Sequence, residues 1–88
     1  MVEKTLKIKN KLGLHARPSA LFVQTASKFK SSLKVFQGAQ EADGKSIMGL
    51  MMLAAGLGTE LRMVAAGPDE FALIKSIEEL MDRKFDEE

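Results

Sequence analysis

Residues 70–84 carry the most restrictive pattern in this chain, because Leu73, Ile74, Ile77, Leu80 and Met81 recur at helical spacing and make one continuous apolar stripe. A helix of that kind is marginal alone in water and must be laid on another apolar surface. Its start is signalled by Gly67-Pro68-Asp69-Glu70, turn chemistry followed by an N-cap candidate. The surface has to come from the segments with a period of two. Residues 2–9 place Val2, Leu6 and Ile8 on one side and Glu3, Thr5, Lys7 and Lys9 on the other, with Lys4 breaking the pattern at one end. Phe22, Val23, Ala26 and Phe29 predict a helix over about 16–28, and Leu33 and Val35 mark a second strand. The turn at Gly38 leads to a short third strand around Gln40–Asp43. A brief helix follows Ser46 and stops near Gly56, and Thr59–Ala66 reads as a strand with Leu61 and Met63 inward. The order βαββαβα predicts an α+β, open-faced two-layer sandwich with three helices on one face of the sheet.

Composition narrows the function classes. Eighty-eight residues, 45% of them hydrophobic, suit a single domain over 1–88, with a radius of gyration of about 12 Å by ordinary scaling. Zero cysteines removes disulfides and thiolate metal sites and suits a reducing, cytoplasmic setting. The start Met1-Val2-Glu3-Lys4-Thr5 holds no apolar signal-peptide core, and no run approaches the ~18 apolar residues of a membrane span. The expectation is a protein neither secreted nor inserted in a membrane. A net charge of +1, no Tyr or Trp and only five Phe argue against nucleic acid. No cofactor or metal is expected.

The chemistry is concentrated in Gly13-Leu14-His15-Ala16-Arg17-Pro18, which holds the only histidine. Proline suits the first turn of a helix, so a helix is predicted to start at Ala16 or Arg17. His15 then sits at or beside the N-cap, facing unpaired N–H donors and the positive end of the helix dipole, with Arg17 nearby. Ala16 and Arg17 are the candidate phosphate-binding positions. A neutral imidazole there can attack phosphorus, and the phosphoryl group would be held by the same donors. Spacing alone leaves a histidine that merely caps the helix as the alternative.

The same hexapeptide resembles the active-site signature of the HPr family, the histidine-containing phosphocarriers of the bacterial phosphoenolpyruvate-dependent phosphotransferase system. Lys45-Ser46-Ile47-Met48-Gly49-Leu50-Met51 resembles that family's regulatory serine segment, in the same order and register. The resemblance implies a four-stranded antiparallel sheet of order 1-4-2-3. It implies that His15 takes a phosphoryl group on Nδ1 from enzyme I and passes it to IIA domains of sugar permeases, without being an enzyme itself. Arg17 would neutralise charge during transfer and Pro18 would fix the helix start. The capping geometry is expected to aim one ring nitrogen at the helix N–H groups. Ser46 would be the target of an HPr kinase/phosphorylase in those members that have one, while others retain the serine without that kinase, and the protein would work as a monomer. Two alternatives remain: a nitrogen-branch or regulatory paralogue, and a co-repressor-type module acting when phosphorylated on Ser46. His15 argues against the purely regulatory paralogues, which lack this nucleophile.

The apolar residues that do not fit the core point to a docking surface. Leu21 lies outside the stripe of its helix and is expected to face outward. On the middle helix Ile47, Leu50, Leu53 and Ala54 are expected to take the inward side, leaving Met48 and Met52 outside and Met51 on the flank. Leu21, Ile47, Met48, Met51 and Met52 form the candidate docking patch, since methionines repack at low cost against several partners. Covering the core edge of a very small domain is the alternative role for them. As an N-cap, Ser46 would accept a hydrogen bond from an early N–H, while a phosphate there would repel an apolar or acidic partner. Two departures from the family pattern bear on local geometry: Gln37-Gly38-Ala39 at a turn where Asn-Gly is common, and Ala54 where many members carry glycine.

Overall fold

Alternation of buried and exposed residues makes Ser32–Gln37 (β2) and Glu60–Ala66 (β4) the centre of a sheet, because Leu33, Val35, Leu61, Met63 and Ala65 are all buried on one face. The computed structural model describes residues 1–87. In chain order β1 is Val2–Lys7, α1 Ala16–Ala26, β2 Ser32–Gln37, β3 Gln40–Asp43, α2 Ile47–Met52, β4 Glu60–Ala66 and α3 Glu70–Asp82. The strands run β1-β4-β2-β3, each pair antiparallel. The register sets Leu6 opposite Leu61 and Val35 opposite Met63, so each strand adds its apolar face to the same side. The helices cover that side: α1 packs against α2 and α3, and α3 packs on β1 and β4. Phe22 and Ala26 from α1, Leu50 from α2, and Leu73, Ile77, Leu80 and Met81 from α3 fill the space between the layers. The Cα radius of gyration is 11.4 Å.

Lys4 breaks the alternation of β1 for a reason the structure supplies. Its Nζ reaches over the sheet edge to Glu78 of α3, with donor–acceptor distances of 2.8 and 2.9 Å. A charge at this position on an edge strand also discourages pairing with another strand. The start of α3 differs from the simplest capping expectation. Asp69 is the N-cap, but its carboxylate accepts from the backbone N–H groups of Lys30 and Ser31 and from the Ser31 hydroxyl. Those donors, the Ser31 hydroxyl first, lower the Asp69 pKa from 3.8 to about 2. The carboxylate thus ties the turn after α1 to the turn before α3.

Four expectations, three of them around the middle of the chain, need correction. The helix after Ser46 ends at Met52, well before Gly56, and Ala54 leaves it in the left-handed region with φ 52°. Ala54 is therefore exposed and not inward. Ile47 is also exposed, at 41%, because so short a helix has room to seat only Leu50 and Leu53 against the sheet. Leu21 is half-buried and packs against the core, where an outward position was expected. After α3 the chain makes a turn at Lys84–Asp86 with φ of 57°, 56° and 59° on three successive non-glycine residues. L-residues avoid that conformation. Burial of Phe85, fully excluded from solvent, opposes the strain.

Candidate functional site

The loop before α1 is built so that only its end is presented. Gly13 has φ +70°, and a Cβ there would lie 2.2 Å from the Ala55 carbonyl oxygen, so this position requires glycine. Leu14 N–H donates to that Ala55 oxygen at 2.9 Å, Leu14 is buried, and the Ser19 hydroxyl donates back to the Leu14 oxygen at 3.1 Å. With its neighbour clamped on both sides, His15 is left at the N-cap of α1 in an extended conformation, φ −79° and ψ −170°. Its carbonyl accepts from Ser19 N–H, the first bond of the helix. Ala16 and Arg17 precede that bond and have no intrahelical acceptor for their N–H groups, and Pro18 has no N–H to satisfy.

The imidazole itself does not cap the helix. Its side chain makes no cap hydrogen bond, which corrects the expectation that a ring nitrogen is aimed at the helix donors. Nε2 lies 3.0 Å from Oε2 of Glu87 instead, with the two side chains 36% and 17% exposed. Oε1 of Glu87 accepts at 3.0 Å from Nδ2 of Asn10, a fully buried side chain that also donates to the Gly13 carbonyl at 2.8 Å. Neither Asn10 nor Glu87 was legible as a site residue. An Asn in a loop reads as turn chemistry, and a glutamate in the acidic terminal stretch reads as a solvated charge.

Arg17 is exposed and makes no ion pair among the described residues. It lines an open cleft of about 310 Å³ with Lys11, Leu12, Asp86 and Glu87. His15 itself lines a second groove, of about 250 Å³, with Leu12, Leu14, Met51, Ala54, Ala55 and Gly56. The structure therefore places Met51 and the histidine on one groove. Met48 and Met52, 73% and 77% exposed, continue the apolar surface, and Leu12 and Leu57 add exposed leucines that the sequence pattern did not single out. Leu21 contributes only part of its side chain. Ser46 is the N-cap of α2, and its Oγ accepts from Gly49 N–H at 3.0 Å.

An open-faced βαββαβα sandwich with its one histidine presented at the head of the first helix, beside an uncommitted arginine, defines a class of small side-chain phosphocarriers. The family model described as "PTS HPr component phosphorylation site" matches residues 2–83, and the chain belongs to this HPr family of the phosphotransferase system. The phosphocarrier protein HPr of Treponema pallidum (strain Nichols) is 49% identical over 88 residues, covering 100% of both chains. A crystal structure of HPr from Thermoanaerobacter tengcongensis superposes with a TM-score of 0.96 at 50% identity, covering 100% of this chain and 99% of that one. The HPr-like protein Crh of Bacillus subtilis (strain 168) is 46% identical over 70 residues, 80% of this chain and 82% of its own length. A dimer of the Thermoanaerobacter protein has also been crystallised, with a TM-score of 0.79 at 49% identity, covering 99% of this chain and 100% of that one.

Proposed function

We propose that His15 accepts a phosphoryl group from phospho-enzyme I, itself charged by phosphoenolpyruvate, and passes it to a histidine on IIA domains of sugar permeases. The observation that carries this reading is the state of the imidazole. Nε2 is engaged by Glu87, and among the described residues Nδ1 has no hydrogen-bond partner, on the residue that precedes Ala16 and Arg17, whose N–H groups have no intrahelical acceptor. Nδ1 is the acceptor atom, Ala16 and Arg17 offer the donors that meet the phosphoryl oxygens, and Pro18 holds the helix start in place. The site is open, which suits a group that has to be received and given up again. The groove beside His15 and the surface of Ile47, Met48, Met51 and Met52, with the exposed edge of Leu21, form the docking area for these partners.

Ser46 is a regulatory position in this reading, modified by an HPr kinase/phosphorylase. Its hydroxyl sits at the head of α2 beside Met48, so a dianionic phosphate there would need to be desolvated against any apolar partner surface. His15, Arg17 and Glu87 all come from one chain, and in this reading the working unit is a cytoplasmic monomer. Incubation with enzyme I and phosphoenolpyruvate tests the reading. One acid-labile, base-stable phosphoryl group should appear on His15 and vanish in His15→Ala while the fold persists. Labelling of His15→Ala would overturn it.

A further inference from the structure

We propose that Glu87 is a positioning residue for phosphoryl transfer: through its hydrogen bond to Nε2 it fixes the ring of His15, makes Nδ1 the nucleophile and stabilises the imidazolium formed as phosphorus is attached. The inference rests on the phosphocarrier reading for its biological role, and on the geometry alone for its chemistry. A carboxylate can only accept, so a contact of 3.0 Å between Oε2 and Nε2 places the proton of a neutral ring on Nε2 and the lone pair on Nδ1. The carboxylate is itself held. Asn10, fully buried, has Nδ2 between two acceptors, the Gly13 carbonyl and Oε1 of Glu87, which fixes which way its amide faces.

The backbone supports the same conclusion. Three successive left-handed residues turn the chain after α3, buried Phe85 anchors that turn in the core, and Arg83 Nε donates across it to Asp86 at 3.1 Å. The product of this strained turn is a glutamate delivered to the back of the nucleophile. Strain maintained by packing at such a position marks a geometry that the site uses.

The step balances without any further reactant. The Nδ1 lone pair forms the bond to phosphorus while the donor's P–N bond breaks and returns its electron pair to the donor nitrogen. The Nε2 proton stays in place, hydrogen-bonded to Glu87. The positive charge that appears on the ring then faces a carboxylate on the side away from the phosphoryl group. This division of labour is that of an acidic residue behind a catalytic histidine, where it holds the tautomer and stabilises the imidazolium.

Phosphoramidate, a small phosphoryl donor that releases ammonia, tests the inference without any protein partner. Rate and site of phosphorylation are read by phosphorus and nitrogen NMR on the whole chain. The unaltered protein should be phosphorylated on Nδ1. Glu87→Ala should react about tenfold more slowly, the share of one charge-assisted hydrogen bond at a part-exposed site, and should now carry part of its phosphoryl group on the freed Nε2. Glu87→Gln should keep the reaction on Nδ1, because its amide oxygen still accepts from Nε2, yet lose most of the rate with the charge. A packing role alone would move neither the atom modified nor the difference between the two variants. Phosphorylation of Glu87→Ala on Nδ1 alone, at the rate of the unaltered protein, overturns the proposal. A protein that enzyme I fails to label, but whose reaction with phosphoramidate shifts as described, would refute the carrier function and leave the role of Glu87 standing.

Discussion

Ala54→Gly is expected to stabilise this protein, an unusual outcome for a glycine substitution. Ala54 follows the last turn of α2 with φ 52°, donates its N–H to the Met51 carbonyl at 3.1 Å, and leaves its methyl group exposed. An L-residue in the left-handed region costs about 1–2 kcal/mol through contact of Cβ with the neighbouring carbonyl, and glycine is free of it. Against this gain stands the greater freedom of glycine in the unfolded chain, about 0.4–1 kcal/mol. The methyl group is exposed, so little burial is lost. The net effect is a gain of about 0.5–1 kcal/mol, or roughly 2–8 °C in Tm for a domain of this size. Urea and thermal unfolding followed by circular dichroism measure it, with Ala54→Val as the opposite arm. Valine is branched at the atom that clashes and should lose about 1 kcal/mol or more relative to alanine. A fall in stability for Ala54→Gly, or a rise for Ala54→Val, would refute the argument, because it would mean that Ala54 does not bear the left-handed turn that ends α2.

The ties on Asp69 make a pH prediction. Its folded pKa is depressed from 3.8 to about 2, chiefly by the Ser31 hydroxyl, so the stability it contributes is present above about pH 4 and is lost as pH falls through about 2. Acid titration of the fold should place the unfolding midpoint of Ser31→Ala at higher pH than that of the unaltered protein; coincident curves would count against the link. Arg17→Ala should stay folded while phosphoryl transfer to His15 slows by about 10²-fold, the loss typical of one preorganised donor, and unchanged transfer in both directions would reduce Arg17 to a surface charge. Ser46→Asp should raise KM for enzyme I with little change in Tm, because an N-cap carboxylate can replace the serine's bond to Gly49 N–H. Met48→Ala should also raise KM, but with less sensitivity to ionic strength. Equal Michaelis constants for both variants and the unaltered protein would make the exposed methionines core cover alone.

Much of the fold was legible because its signals are local. The stripe Leu73, Ile74, Ile77, Leu80 and Met81 needs no knowledge of its neighbours to read as a helix, and all five residues are buried in α3. Alternation placed Leu61 and Met63 inward, and the motif Gly13–Pro18 placed His15 at or beside the N-cap of a helix starting at Ala16 or Arg17, which the structure starts at Ala16. Pattern alone did not order the strands; resemblance to the HPr family supplied 1-4-2-3, which the register confirms. The middle helix starts after Ser46 as its sequence predicts, but its end and the side taken by Ile47 and Ala54 were misread. Periodicity states which residues could share a face, whereas the length of α2 and the turn at Ala54 depend on where the chain must go next to reach β4. The same limit hid Asn10, Phe85 and Glu87. Glu87 meets His15 only because three left-handed residues and a buried phenylalanine fold the chain end back across the start of α1. Residue type and spacing along the chain thus determined the one histidine and the helix that presents it. The partner of its second nitrogen was decided by tertiary structure, since a contact between residues seventy-two positions apart is set by the packing of the elements between them and not by any local preference.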